Sequence, residues 1–206
     1  MLTEKATYEE LIQAMDEVWK YGKKGYNNPR VMRQFKHGAK EVWYRTNTPQ
    51  SKHPTLYYYT RRPDFNKLYG HGKKDFTHIG FAVLQGKDVK EDCESYCTTC
   101  NSHQTPVVIR GHAIRRYKER HHFQGTYEEA RQKVLADLFV FNTIADPTDK
   151  TFYIFFDGGV FLCWIIDGVV RVNTFVMNSG LYPVQRMKSL QSEQGVNEIK
   201  KKYELI

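Results

Sequence analysis

An α+β fold, with helices packed on an antiparallel β-sheet, is predicted by three features of the sequence. Three strand-sized runs, 151–156, 160–166 and 169–177, are separated by Asp157-Gly158-Gly159 and Asp167-Gly168. Asp-Gly between aromatic or β-branched runs is the strongest short-range hairpin signal. Three segments that read as helices precede this meander and a fourth follows it. The composition allows a packed core: of 206 residues, 40% are hydrophobic and 14% aromatic, while 26% charged is the share of a soluble globular chain.

Taken in order, residues 7–20 read as a helix. Thr7 caps it with Glu10 three residues on, and Leu11, Met15, Val18 and Trp19 recur at helical spacing. A loop is expected over 21–29. Strands are expected at 41–46, 56–61 and 78–84, with no readable order. Residues 85–105 are polar, contain three cysteines and read as a long loop. It marks a boundary between an N-terminal α/β extension, 1–104, and a C-terminal unit, 105–206. Residues 107–120 and 126–138 read as helices, the second capped by Thr126 with Glu128 and Glu129 in its first turn. In the meander, run 160–166 is apolar at both alternating sets of positions, so both faces of the sheet are expected to be covered there. A basic helix, 190–203, closes the chain.

Charge and segment composition narrow the function classes. Lys and Arg number 31 against 23 Asp and Glu, a formal net charge of +8 that favours an anionic partner, nucleic acid first. No run approaches the ~18 consecutive apolar residues of a membrane helix, and the start is polar and acidic where a signal peptide would be basic and then apolar. No membrane partner and a cytoplasmic location are expected.

The segment from Gly111 to Arg120 concentrates the chemistry. On a helix, His112, Arg116 and Arg120 lie four apart on one face, flanked by Arg115 and Glu119. Arginine forks suit phosphate oxygens, and an imidazole moves protons near neutral pH. The same row also reads as a solvated or nucleic-acid-docking face. The pattern His-Ala-x-x-Arg-x-x-Glu-Arg, followed by a second helix and an antiparallel sheet whose last strand carries Val172-Asn173-Thr174, resembles the RelE-like toxin ribonucleases. That group also takes in barnase-like and colicin-type nucleases, with phage and bacterial members. The likeness covers roughly residues 107–178, and the chain is about twice as long as such compact toxins.

The resemblance implies an endoribonuclease that needs no metal and cleaves RNA through attack of the ribose 2′-OH. It implies His112 as acid/base, Arg116 and Arg120 as phosphate clamps, and Thr174 as a hydrogen-bond donor to the phosphate, with Asn173 as the fallback. Arg115, Tyr117, Arg61 and Arg62 are expected to help bind substrate. The expected partner is RNA, ribosome-associated RNA included, and a protein inhibitor fits a toxin of this type.

Two further features bear on partners. Cys93, Cys97, Cys100 and His103 offer four ligands in a short span, a candidate zinc knuckle whose alternative is a reduced loop. Between Trp43 and His78, tyrosines including Tyr44, Tyr57, Tyr58, Tyr59 and Tyr69 interleave with Arg45, Arg61, Arg62, Lys73 and Lys74. Aromatics beside cations suit single-stranded nucleic acid, and tyrosine is equally an ordinary strand residue. The alternatives to an enzyme are a non-catalytic nucleic-acid-binding protein, with or without the knuckle, and an interaction factor of phage or mobile-element origin with an acidic partner.

Overall fold

The computed structural model of the protein describes residues 6–25, 27–47, 54–60, 78–85, 94–98, 105–140, 144–148 and 151–202. They form helices and one nine-stranded sheet, an α+β fold. The helices are α1 (Tyr8–Gly25), α2 (Pro29–Lys36), α3 (Gly111–Arg120), α4 (Tyr127–Val140) and α5 (Pro183–Lys202). The strands are β1 (Glu41–Asn47), β2 (Pro54–Thr60), β3 (His78–Gln85), β4 (Glu94–Thr98), β5 (Pro106–Ile109), β6 (Ile144–Thr148), β7 (Thr151–Phe156), β8 (Gly159–Ile166) and β9 (Val169–Met177). Their spatial order is β1-β2-β3-β4-β5-β9-β8-β7-β6. Every pairing is antiparallel except β5 with β9.

Local chemistry accounts for most of these elements. Thr7 and Glu10 exchange backbone-to-side-chain hydrogen bonds at the start of α1, as do Thr126 and Glu129 before α4, two reciprocal capping boxes. Asn28 caps α2 by accepting from the Arg30 amide, with Pro29 at the first helical position. Asp157 and Gly158 both have positive φ (47° and 72°), as do Asp167 and Gly168 (50° and 76°). Both hairpins therefore use the mirror-image two-residue turn whose twist matches the strands.

Five segments depart from the sequence reading, one of them β6, in a stretch for which no element is expected. The expected loop over 85–105 contains β4, because Tyr96 and Cys97 are both fully buried, one on each face of the sheet. The expected helix over 107–120 begins only at Gly111, since Val107, Val108 and Ile109 are β-branched and pair as β5. The first helix runs on to Gly25, into the loop expected over 21–29, and α2 follows where no element is expected. The last helix starts at Pro183. The boundary placed at 104/105 falls between β4 and β5, which pair with each other, so both parts of the chain build one sheet.

Two cores lie on opposite faces of that sheet. On one face α3 and α4 pack through Ala113, Ile114, Tyr117, Val134, Leu135 and Leu138 onto Leu56, Tyr58, Leu84, Cys97, Phe161 and Val172. On the other, α1 and α2 contribute Leu11, Met15, Val31 and Phe35 against Val42, Tyr57, Tyr59, Tyr96 and Val169. Tyr57, Tyr58 and Tyr59 are thus core residues and not base-stacking platforms. The hydroxyls of Tyr57 and Tyr59 donate to the Val18 and Gly22 carbonyls near the end of α1, which satisfies them in the interior. A small third cluster, Phe155, Val160 and Leu181, lies beyond β9. The face expected to be covered on both sides of β8 is not: Trp164 and Ile166 are exposed.

Candidate nucleic-acid interface

Helix α3 leaves β5 directly. The Arg110 amide donates to the Val172 carbonyl at 3.3 Å, and the Ala113 amide donates to the Arg110 carbonyl at 2.9 Å. Because β5 pairs only with Val170–Val172, the rest of β9 has an open edge on that side, and α3 lies along it. Ala113, Ile114 and Tyr117 turn inward. His112, Arg115, Glu119 and Arg120 are exposed and Arg116 partly so, which puts the predicted row on the outer face of the helix.

The row does different things along its length. His112 is exposed in the first turn and Arg115 at the start of the second. Arg116 pairs with Glu119 at 2.9 Å, both side chains well exposed, and such a pair is weak enough for a phosphate to displace. Arg120 donates to the Phe175 carbonyl on the open edge of β9. Its place is therefore structural, since it satisfies a backbone acceptor that no strand among the described residues reaches.

Thr174 does not join this row. β9 has one extra residue opposite Leu162 and Cys163, a β-bulge at Asn173. Before the bulge Val170 and Val172 face α3; after it Phe175 does. Thr174 is the register partner of Leu162, which packs with the cluster on the opposite face. The side-chain nitrogen and oxygen of Asn173 are buried with no hydrogen-bond partner among the described residues. Arg61 and Arg62 lie outside the described residues.

Tyr117 is fully buried, so its ring is not available to a base. It is surrounded by His121, Phe123, Phe156, Phe161 and Phe175. Its hydroxyl donates to Asp157 Oδ2 at 2.6 Å, and the same oxygen receives Lys133 Nζ at 2.5 Å and lies 3.3 Å from His121 Nε2. Burial opposes ionisation of Asp157, yet the hydrogen bonds from Lys133 and Tyr117 and the charges of Lys133 and His121 outweigh it and hold its carboxyl below the ordinary range. Burial first, then the bond to Asp157 and that carboxylate's charge, push the Tyr117 phenol far above its ordinary value. This knot ties the β7–β8 turn to α3 and α4. The sequence reading missed it because Asp157 is 40 residues from Tyr117 and 24 from Lys133, and an Asp before Gly reads only as a turn.

Of the proposed metal ligands, Cys93, Cys100 and His103 lie outside the described residues. Cys97 is wholly buried in the core under α3 and α4, and burial pushes its thiol above its ordinary value, so it is a protonated core side chain. Among the described residues no group of three His, Cys, Asp or Glu side chains is placed to hold a metal ion, and no helix is long and apolar enough to cross a membrane. Compared with family models, curated proteins and solved structures, the chain matches none.

Proposed function

We propose that the protein binds RNA on the outer face of α3 and cleaves it. The observation that carries this is the outer face of α3 in its first two turns, where His112 and Arg115 are exposed beside Arg116 on a helix whose inner face is firmly seated in the core. Arg115 and Arg116 hold phosphate oxygens, and the net charge of +8 draws the polymer in. His112 accepts the proton of the ribose 2′-OH as its oxygen attacks phosphorus, and the P–O5′ bond breaks, the departing O5′ taking a proton from solvent while His112 returns its own to solvent. The products are a 2′,3′-cyclic phosphate and a 5′-hydroxyl, a balance that needs no co-reactant. Cleavage, beyond binding, rests on the resemblance to RelE-like ribonucleases, with Arg120 and Thr174 left out of the acting set by their placement. As in that group, ribosome-associated RNA is the first substrate to try and a protein inhibitor the first partner.

The test is incubation with mixed RNA and with ribosomes in EDTA, followed by detection of cyclic-phosphate ends. His112→Ala should slow cleavage about 10²- to 10⁴-fold, the usual worth of a general base, with RNA binding nearly unchanged. A parent protein that binds RNA through Arg115 and Arg116 but never cuts it would establish the second reading, a non-catalytic RNA-binding protein. That reading draws on the pairing of Arg116 and the anchoring of Arg120, both of which are compatible with a docking face.

A further inference from the structure

The sheet face opposite α3 carries a gap between its two covered patches. Four register pairs of β8 and β9 run along it: Ile166 with Val169, Trp164 with Arg171, Leu162 with Thr174, and Val160 with Val176. At one end Val169 is buried in the α1/α2 core, and at the other Val160 is buried with Leu181. Between them Trp164 is 53% exposed and Ile166 42%. Directly opposed residues of an antiparallel pair share a face with Cβ atoms about 5 Å apart, so the Trp164 indole and the Arg171 side chain are neighbours. Tyr8, itself partly exposed, borders the gap: a Cβ on Gly168 would lie 3.2 Å from its ring. The floor strand bulges at Asn173, two residues from Arg171, where the unpartnered amide lies. Bulges of this kind are common beside binding sites because they re-aim side chains.

We infer that this gap is a nucleobase subsite for single-stranded RNA, in which a base stacks on Trp164 and Arg171 meets the adjoining phosphate. An indole exposed on an interior strand of a nine-stranded sheet presents a flat apolar surface, and a cation beside it on the next strand selects a flat ligand that carries negative charge. Stacking on an aromatic ring together with an arginine is how single strands are held without sequence preference. The excess of positive charge on the chain complements that polymer. The inference rests on the proposed function only for the identity of the polymer as RNA. Its residues lie on the other side of the sheet from α3, so the two surfaces can be tested separately.

A fluorescein-labelled oligouridylate, titrated with the full chain while anisotropy and indole emission are followed, provides the test. Trp164→Leu should weaken binding about tenfold and abolish the quenching of indole emission. Arg171→Ala should weaken it comparably and flatten its salt dependence. Unchanged affinity in both variants, with thermal melts equal to the parent's, would overturn the subsite. So would sedimentation showing that Trp164→Leu dissolves a self-associated form, because a second copy would then cover the gap. If Arg115→Ala/Arg116→Ala abolishes binding and Trp164→Leu does not, the subsite fails and the α3 reading survives. If Trp164→Leu weakens binding and the parent never cleaves RNA, the subsite stands and the nuclease reading falls.

Discussion

On one side of the sheet α3 and α4 press an unbroken layer of aromatic and aliphatic side chains, from Tyr58 across Phe161 and Phe175 to Ile154. On the other side α1 and α2 cover β1 to β5, Leu181 packs on Phe155 and Val160 with α5 also in contact with β7 and β8, and Trp164 is left exposed. The first face holds the molecule together. Its helices expose their polar flanks, and whatever chemistry α3 performs is done by residues looking away from the sheet. The second face exposes the sheet itself. A ligand there would meet strand residues whose positions are fixed by register, which is a more rigid platform than a loop.

The contrast predicts unequal penalties. Truncating Phe161→Ala on the closed face should cost about 3–5 kcal/mol in urea unfolding, because the ring is buried against Tyr117, Phe156 and Phe175. A much smaller loss would mean that the closed face is loosely packed. Gly159→Ala should cost about 1–3 kcal/mol, since the added methyl would run into the Phe175 ring and the Val176 carbonyl.

Asp157→Asn, which weakens the knot at the edge of the closed face, should cost about 2 kcal/mol near neutral pH, the worth of hydrogen bonds to a charged group. Its pH dependence has a definite sign. The folded carboxyl titrates below its unfolded value, so the stability it adds is full above the ordinary carboxylate range of about 4 and is lost as pH falls through the folded value. Parent and Asp157→Asn should therefore converge in acid, and a difference that persisted below that range would show that Asp157 acts through shape instead of charge. Trp164→Leu, on the open face, should change stability by no more than about 0.5 kcal/mol.

The elements legible in the sequence are those fixed by neighbouring residues. Thr7 with Glu10, Thr126 with Glu129 and the two Asp-Gly turns act within three or four positions, and each appears as expected. The segments misread are those decided at a distance. Val107, Val108 and Ile109 continue smoothly into a helical pattern, and only their pairing with β4 and β9 makes them a strand. Glu94 to Thr98 is polar enough to read as loop and is a strand because partners exist on both sides. The candidate site divides the same way. The outward row on α3 follows from helical periodicity, whereas the loss of Thr174 from it follows from one inserted residue that reverses the alternation of β9.

By itself the sequence determined the class of fold, the meander with its turns, the surplus of positive charge and the His–Arg helix, because propensity, capping and periodicity are properties of short windows. Only the tertiary structure decided the strand order, the parallel join of β5 to β9, the burial of the tyrosines, the convergence of Tyr117, Lys133 and His121 on Asp157, and the exposure of Trp164. Each of these depends on which distant segments lie side by side, and hydrogen bonding between strands carries no local signature of its partner.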